Sequence, residues 1–376
     1  MHVCSSEDAG VKDVILLGAG ASKSDGAPVQ SALLLDYFAQ YQQGPTGPAN
    51  RKRHERLLHF LRDFYGLSVE TEMAGSGKGF APFEELLAMI ELAVGRHQDF
   101  KRTGLQRGQI ESEAGSSTSN TLAAIKEDLV FSIAEVIGRS FTEPKRHHRM
   151  LIERLMKDCP NDFSPLDQTG FISLNYDLLL DNALFFGGKR SLDYGFEFSN
   201  DGLNPDEIMG HSSIYKLHGS LNWLYCPECD EMKHTGTTKG ALKIAFGQGV
   251  LCKCGNRRLL PFVVPPTFLK DLSDFRLQMT WHAAERMLRN ADRLFICGYS
   301  MPDADIQVKY LLKRAEMNRT SEQGKLKAYV INNHEGKEDP VKMTEACRFQ
   351  RFFKCDVCYT DLSFEEFSKD GIESLR

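Results

Sequence analysis

Short apolar segments, each followed by a glycine-rich or polar turn, recur along this chain of 376 residues. Residues 14–17 (Val-Ile-Leu-Leu) contain no polar position, as is typical of a strand buried on both faces of a parallel sheet. Similar segments begin at Phe171, Ile214, Leu294 and Ala328, and we expect a last strand near residues 352–355. Between them, apolar residues recur at helical spacing. Strands that alternate with helices predict an α/β fold with a doubly wound, Rossmann-like parallel sheet.

Helical spacing is densest between residues 46 and 158, and we predict this segment to be a helical insertion. Its predicted helices are residues 51–65, 83–94, 122–137 and 147–156. The Rossmann-like domain would then comprise residues 11–45, 159–221 and 261–376. Residues 222–260 contain two cysteine pairs and are predicted to form a small zinc-ribbon module.

Composition argues against several classes of protein. A formal net charge of −5 disfavours a protein whose task is to coat nucleic acid, so we expect no direct nucleic-acid binding. No apolar stretch has the length of a membrane span, and the first residues lack the basic and apolar segments of a secretory signal. Ten cysteines in a chain of this length indicate reduced thiols, and we expect a cytoplasmic protein.

Polar or glycine-rich turns follow several predicted strands. These turns are residues 18–22, 175–177, 218–220, 298–300 and 332–334. Because ligands of α/β sheets bind at the carboxyl ends of the strands, we expect these turns to surround one site. The first turn joins a strand to a helix, an arrangement that directs backbone amides at a diphosphate, although Lys23 replaces the third glycine of the dinucleotide motif. A tight turn without a ligand is the alternative.

Two cysteine pairs form a second candidate site. They are Cys226-x-x-Cys229 and Cys252-x-Cys254. Four thiolates on two short turns suit a closed, tetrahedral zinc site of the structural type, with free thiols as the alternative and His234 as a candidate substitute ligand. Cys355 and Cys358 are not expected to share a metal ion, because residues three apart in a strand point to opposite faces.

These motifs follow one another in a fixed order. The series is Gly-Ala-Gly-Ala-Ser, Leu-Asn-Tyr-Asp, Leu-His-Gly-Ser, the cysteine pairs, Gly-Tyr-Ser-Met-Pro and Ile-Asn. It resembles the motif series of the sirtuin family over most of the chain outside the helical insertion. The segments Ser-Leu-Asn-Tyr-Asp and Lys-Leu-His-Gly-Ser-Leu-Asn-Trp resemble more closely the bacterial sirtuin-like branch of anti-phage defence, whose members hydrolyse NAD.

The resemblance implies NAD as the substrate and a role for each motif residue. Asn175 and Asp177 match the family's Asn-x-Asp beside the nicotinamide ribose, and His218 matches the histidine that faces this ribose, so these three are the predicted catalytic residues. The predicted contacts with the diphosphate are Gly18, Ala19, Gly20, Ala21 and Ser22. Further predicted NAD contacts are Asp25, Tyr176, Gly298, Tyr299, Ser300 and Asn332, with Gly298 and Ser300 on the adenosine side and Asn332 at the adenine ribose.

The chemistry of the reaction is compatible with these residues. Nicotinamide departs as a neutral molecule and leaves an oxocarbenium-like ribose, so no strong acid is needed. Asn175 can position hydroxyl groups or a water without adding charge. His218, whose ordinary pKa is near neutrality, can act as the base. The alternatives are that Asp177 is only a helix cap and that His218 is a turn residue satisfied by hydrogen bonds.

The leading hypothesis is an NAD glycohydrolase that releases nicotinamide and ADP-ribose and acts in anti-phage defence by depleting NAD. The alternative is an NAD-dependent protein lysine deacylase, which is disfavoured because residues 23–30 and 259–266 lack the peptide-handling segments of sirtuin deacylases. A third hypothesis is an NAD-sensing subunit without turnover. The resemblance also implies a homo-oligomer or a companion subunit such as a HerA-like ATPase, and we expect the helical insertion to form the contact surface.

Overall fold

Seven parallel strands form the main sheet of the computed structural model. The structure describes residues 11–28, 32–41, 48–75, 79–96, 98, 119–140, 146–157, 164–200, 208–235, 251–255, 259–264, 274–303, 305–332 and 339–372. The strands of these residues are β1 (Asp13–Leu17), β2 (Thr169–Ser173), β3 (Arg190–Asp193), β4 (Gly210–Lys216), β5 (Gly219–Tyr225), β6 (Met232–His234), β7 (Leu260–Val263), β8 (Arg293–Cys297), β9 (Lys327–Ile331) and β10 (Val357–Thr360). The main sheet has the order β10-β9-β8-β1-β2-β4-β3, and a second sheet has the order β6-β5-β7.

Burial on both faces of the main sheet explains the apolar run of β1. Successive side chains of a strand point to opposite faces. Accordingly, Val14 and Leu16 belong to the apolar cluster on one face, and Ile15 and Leu17 belong to the cluster on the other. All four side chains are at most 1% exposed, so a polar residue at any of them would be buried.

Helices lie on both faces of this sheet. The helices of the described residues are α1 (Ala19–Ser24), α2 (Leu33–Gln40), α3 (Pro48–Tyr65), α4 (Val69–Met73), α5 (Phe83–Gly95), α6 (Ser119–Ser140), α7 (His147–Lys157), α8 (Leu179–Asn182), α9 (Phe275–Asn290), α10 (Ile306–Met317), α11 (Asp339–Phe352) and α12 (Phe364–Asp370). Helices α9, α10 and α11 pack into the cluster with Val14, and α7, α8 and α12 pack into the cluster with Ile15. The predicted α/β fold with a doubly wound parallel sheet is confirmed.

The chain divides into two units. The first is Met1–Ala27, Phe141–Gly240 and Phe262–Arg376, and the second is Pro28–Ser140 and Ala241–Pro261. Within the second unit, α6 packs against α2, α3 and α5, and Arg56 binds both carboxylate oxygens of Asp128 at 2.7 and 2.8 Å. The sequence pattern assigns α7 to the helical insertion, whereas in the structure α7 lies in the first unit and packs against α12. The predicted domain boundaries stay a prediction.

Among the helices of the described residues, none combines the length and the hydropathy that a membrane span requires.

Parts of the secondary structure differ from the expectation. The prediction of a strand at residues 352–355 is wrong, because α11 continues to Phe352 and the last strand begins at Val357. Phe349 and Phe352 lie on α11 and pack into the apolar cluster with Val14, and Phe349 is fully buried, so these aromatic side chains pack from a helix. The sequence pattern also does not predict α9, α12 or the short strand β3.

Glu84, in the first turn of α5, makes the stability of the protein depend on pH. Desolvation raises the pKa of Glu84 to about 7, and in the described part of the chain its Oε1 atom is buried without a hydrogen-bond partner. The folded protein therefore keeps a proton that the unfolded chain releases, so the free energy of unfolding falls as the pH rises from 4.5 towards about 7. We expect Glu84→Gln to be more stable than wild type by about 1 to 3 kcal/mol at slightly alkaline pH, with a much smaller difference near pH 4.5.

Urea denaturation at the two pH values measures this difference. Glu85→Gln is the matched control, because Glu85 lies in the same turn and is exposed. The same pH-dependent gain in both variants would contradict the burial of Glu84.

Candidate functional site

The turns after β1, β2, β4, β8 and β9 meet at the carboxyl edge of the main sheet. These strands are adjacent, in the order β9-β8-β1-β2-β4, and all of them are parallel. The chain leaves β1 towards β2 on one side and later returns to β8 on the other. Ligands of open α/β sheets bind at such a reversal of strand order.

Main-chain contacts hold the first glycine turn against the turn after β8. The amide of Gly18 donates to the carbonyl of Cys297 at 2.9 Å, and the amide of Gly20 donates to the carbonyl of Gly298 at 2.8 Å. Gly298 has a φ of +65°, and a Cβ atom at this position would lie 2.1 Å from the backbone nitrogen of Ala21. Only glycine fits at Gly298 without a shift of one of the two turns.

Asn175 follows β2 and donates both of its amide hydrogens to the first turn. Its Nδ2 atom lies 2.9 Å from the carbonyl oxygen of Gly18 and 2.8 Å from Oγ of Ser22. The hydroxyl of Ser22 in turn donates to Oδ2 of Asp177 at 2.6 Å. The amide oxygen of Asn175 has no hydrogen-bond partner among the described residues, and the residue is partly exposed. Asn175 is therefore a positioned acceptor for a hydroxyl group or a water.

Asp177 has two structural contacts in addition to the one with Ser22. Its Oδ1 atom accepts a hydrogen bond from the amide of Leu179 at 3.0 Å, so the carboxylate contacts the start of α8 as well as Ser22, although the N-cap residue of this helix is Leu178. The fully buried Nζ of Lys216 donates to the backbone carbonyl of Asp177 and to Oδ2 of Asp181, the latter at 2.9 Å. These contacts fix the segment that orients Ser22 and Asn175.

His218 follows β4 and is buried, with 3% of its surface exposed. Its Nδ1 atom lies 3.0 Å from the carbonyl oxygen of Leu174. A carbonyl oxygen can only accept, so Nδ1 holds the proton of the neutral ring and Nε2 holds the lone pair. Gly219 has a φ of +78°, and a Cβ atom there would lie 2.2 Å from the carbonyl oxygen of Phe262, so the turn requires glycine. His218 thus combines a satisfied turn contact at Nδ1 with a basic Nε2.

The sequence analysis does not single out Asp305, which lies 4.0 Å from His218, measured from Oδ1 to Nε2. Asp305 precedes α10, but among the described residues its carboxylate makes no hydrogen bond to the amides of that helix. It accepts instead a hydrogen bond of 3.0 Å from the hydroxyl of Tyr299. Burial and the charge of Asp305 raise the pKa of Tyr299 far above its ordinary value, so this hydroxyl stays a donor. In the sequence, Asp303 and Asp305 both follow a predicted strand and precede a predicted helix, and either suits the N-cap. This pattern does not indicate a contact with His218.

The residues predicted on the adenosine side lie in the turns after β8 and β9. Asn332 is buried and donates from Nδ2 to the carbonyl of Tyr299 at 3.0 Å and to Oε1 of Glu345 at 2.6 Å. Ser300 is exposed, and its carbonyl accepts from Arg348 at 2.8 Å. Asn332 therefore ties these two turns together, and its contact with a ribose stays a prediction.

Two other predicted NAD contacts, Asp25 and Tyr176, have partners inside the protein. The carboxylate of Asp25 accepts hydrogen bonds from the amides of residues 146–148 and lies 2.6 Å from Nδ1 of His148. Burial alone would raise the pKa of Asp25, but the contacts with His148 and the backbone amides hold it far below its ordinary value. The hydroxyl of Tyr176 donates to the carbonyl of Val264 at 3.1 Å. Asp25 thus caps α7, and the role of both residues towards NAD stays a prediction.

His234 belongs to a buried polar network and not to the cysteine group. Its Nε2 atom accepts from Nδ2 of Asn222 at 2.9 Å and lies 3.3 Å from the hydroxyl of Tyr194. Desolvation lowers the pKa of His234 to about 4, so the ring is neutral. The same network includes Asp181, which accepts from Tyr194 at 2.7 Å.

The four cysteines of the two predicted pairs come together. Their sulfur atoms all lie within 4.8 Å of one another, and the clustered residues are Cys226, Cys229, Cys252 and Cys254. Around a tetrahedral zinc ion, with Zn–S bonds of about 2.3 Å, sulfur atoms lie about 3.8 Å apart. The observed group fits such an ion after small side-chain adjustments. Four protein ligands would leave no position for water, as in structural zinc sites.

Comparison with known proteins gives similarities in solved structures alone. No family model matches the chain, and no curated protein matches it. A Sir2 structure with the inhibitor EX-527, 2'-O-acetyl-ADP-ribose and a deacetylated p53 peptide is 13% identical, with 96% of this chain and 93% of that chain covered and a TM-score of 0.39. Sir2 bound to an acetylated peptide is 12% identical, with 96% and 92% covered and a TM-score of 0.40. A structure described for the mechanism and regulation of Sir2 enzymes is 14% identical, with 98% and 96% covered and a TM-score of 0.40. Because the identities and TM-scores are low, the candidate site is assigned from the contacts described above and not from these similarities.

Gly298→Ala should destabilise the protein more than Gly324→Ala does. Both glycines have positive φ angles, +65° and +62°, that L side chains rarely adopt, so both variants strain the backbone, at a cost of about 1 to 3 kcal/mol. A Cβ atom at Gly298 would collide with the first turn, whereas nothing lies within 4 Å of one at Gly324. We expect an additional loss of about 1 to 3 kcal/mol for Gly298→Ala, measured by urea denaturation. Equal losses would show that the two turns are not in contact.

Zinc content tests the cysteine group. Protein purified without chelator should contain about one zinc ion per chain, and Cys252→Ser should remove most of it, measured by mass spectrometry of the metal. Cys358→Ser is the control, because Cys358 is an exposed cysteine of β10 outside the group. Equal zinc in Cys252→Ser and wild type would exclude this site.

Proposed function

We propose that this protein hydrolyses NAD to nicotinamide and ADP-ribose. The observation that supports this best is the pairing of two groups at one sheet edge. The amide oxygen of Asn175 is positioned as an acceptor, and His218 holds its lone pair on Nε2. The motif series that carries these residues resembles that of the sirtuin family, which adds the expectation that the ligand is NAD.

The proposed reaction breaks the bond between the nicotinamide nitrogen and C1′ of the ribose. The electron pair of this bond leaves with nicotinamide, and the oxygen of a water forms the new bond to C1′. Nε2 of His218 takes the proton from this water, directly or through a ribose hydroxyl, and later releases it to solvent. Asn175 accepts a hydrogen bond from a ribose hydroxyl or from the water and so fixes its position. Ser22 and Asp177 hold Asn175 in place.

The first turn can contact a diphosphate through its exposed backbone, but two of its amides are already hydrogen-bonded within the protein. The amides of Gly20 and Ala21 already donate to Gly298 and Gly18, so they are engaged within the protein. Ala19 and Gly20 are exposed and carry small side chains or none, which lets a diphosphate approach the backbone closely. The proposed diphosphate site therefore depends on close approach to this turn.

A second candidate, an NAD-dependent protein lysine deacylase, is favoured by one observation. β7 lies at an end of the three-stranded sheet among the described strands, and an extended peptide can bind by adding a strand to such an edge. In that reaction the acyl oxygen of the peptide, and not water, attacks C1′. The two candidates share the NAD site and differ in the nucleophile.

The cellular role and the partners are proposed from the resemblance alone. They are an effector of anti-phage defence that depletes NAD, a homo-oligomer, and a companion subunit such as a HerA-like ATPase. Structural zinc at the cysteine group is proposed from the clustered thiols. Measurement of NAD in cells that express the protein, with and without phage infection, tests the role. Unchanged NAD under both conditions would exclude it.

Product chromatography after incubation with NAD tests the activity. We expect wild type to release nicotinamide and ADP-ribose without any peptide, and His218→Ala to lower kcat by about 100- to 10,000-fold, as loss of a general base does. Asn175→Ala should also lower kcat strongly, because the attacking group is no longer positioned.

His211→Ala is the matched control. His211 lies near the start of β4, whereas His218 follows the end of this strand. His211 is exposed. Nicotinamide release that requires an acetylated peptide and yields an acetylated ADP-ribose would favour the deacylase. No nicotinamide release under either condition would leave the proposed function without support.

A further inference from the structure

The carboxylate of Asp305 faces the imidazole of His218 inside the protein. Oδ1 of Asp305 lies 4.0 Å from Nε2 of His218, and the two side chains are 4% and 3% exposed. Asp305 comes from the start of α10 and His218 from the turn after β4, so the fold and not the local sequence brings them together. Tyr299 fixes the carboxylate by donating to its other oxygen at 3.0 Å.

The hydrogen bond at Nδ1 determines which nitrogen of His218 can bind a proton beside Asp305. Because Nδ1 of His218 is committed to the carbonyl of Leu174, a proton gained by the ring binds to Nε2, on the side of Asp305. A separation of 4.0 Å is too long for a direct hydrogen bond, but one hydroxyl group or water can bridge it. An anion at this distance, with both groups out of solvent, favours the protonated ring.

We propose that Asp305 is a positioning residue for His218, which stabilises the imidazolium and orients the hydroxyl group or water whose proton Nε2 accepts. In this step the proton passes from the hydroxyl group or water to Nε2 and then to solvent. The catalytic meaning of the pair rests on the proposed function, whereas the pairing itself is a property of the folded protein.

The other groups near His218 are uncharged, positively charged or bound to other partners. The ring of Tyr176, from the turn after β2, lies 6.3 Å from the imidazole and is uncharged. Lys216, two residues earlier on β4, opposes protonation, but its ammonium group is bound by Asp181 at 2.9 Å and by the carbonyl of Asp177. The carboxylate of Asp177 is engaged by Ser22 and the amide of Leu179. Among these groups, Asp305 is the one whose carboxylate lies within ion-pair distance of the His218 ring.

Titration of His218 by NMR tests the pairing without any activity. The imidazole signal of His218 is assigned by its loss in His218→Ala and then followed with pH in wild type and in Asp305→Asn. We expect the pKa of His218 to fall by about one to three pH units in Asp305→Asn, because the anion that favours the imidazolium is gone. Asp305→Glu keeps the charge and should restore most of the difference.

Asp303→Asn is the matched control. Asp303 lies two residues before Asp305, but its side chain is 90% exposed and pairs with Lys309 at 3.0 Å, so its removal should leave the titration of His218 unchanged. Circular dichroism establishes that each variant is folded. A titration of His218 in Asp305→Asn that matches wild type would overturn the proposal.

The pH profile of kcat gives a second readout that a purely structural role would not move. In Asp305→Asn the acidic limb should shift to lower pH, since His218 stays unprotonated further into the acidic range. The plateau rate should fall by about 3- to 30-fold, because a weaker base is a poorer catalyst. If wild type does not release nicotinamide, the proposed function fails, and the NMR comparison still decides whether Asp305 and His218 form a pair.

Discussion

The candidate site depends on a contact between two turns from which side chains are excluded. Gly298 brings the turn after β8 so close to the first turn that a methyl group would collide with the backbone. On one side of this contact, Ser22 is placed to receive Asn175 and to bind Asp177. On the other side, Tyr299 is placed to hold Asp305 beside His218. The geometry of both candidate catalytic residues therefore follows from main-chain packing at the centre of the sheet.

Buried charge gives the site a second support. Lys216 is fully buried, and burial of an ammonium group costs several kcal/mol unless a carboxylate and hydrogen bonds compensate for it. Asp181 and the carbonyl of Asp177 provide this compensation, and Tyr194 and Asn222 extend the network from Asp181. Such a network adds little to stability compared with an apolar core, but it admits few alternative arrangements. It therefore restrains the segment that contains Asn175.

The sequence predicts the sheet because the central residues of a strand buried on both faces are apolar, as residues 14–17 of β1 and 294–297 of β8 are. The signal is lost at β3 (Arg-Ser-Leu-Asp), which lies at an end of the sheet and is only partly buried. The turns of the site are predictable as well, since the ends of parallel strands must meet at one edge. The partner of each polar side chain is not predictable in this way. Asp25 binds the start of α7, Asp177 serves a helix and Ser22 together, and Asp305 reaches a histidine instead of its own helix. Each of these choices depends on distances that only the folded chain sets.

The bond from Nδ1 of His218 to the carbonyl of Leu174 has a further consequence for turnover. A histidine with both nitrogens accessible can pass a proton through the ring from one side to the other. Here one nitrogen is occupied, so a proton must enter and leave through the same atom. In the proposed reaction, His218 would therefore not lose its proton while product covers Nε2, and each cycle would include an interval in which water replaces the departing ribose.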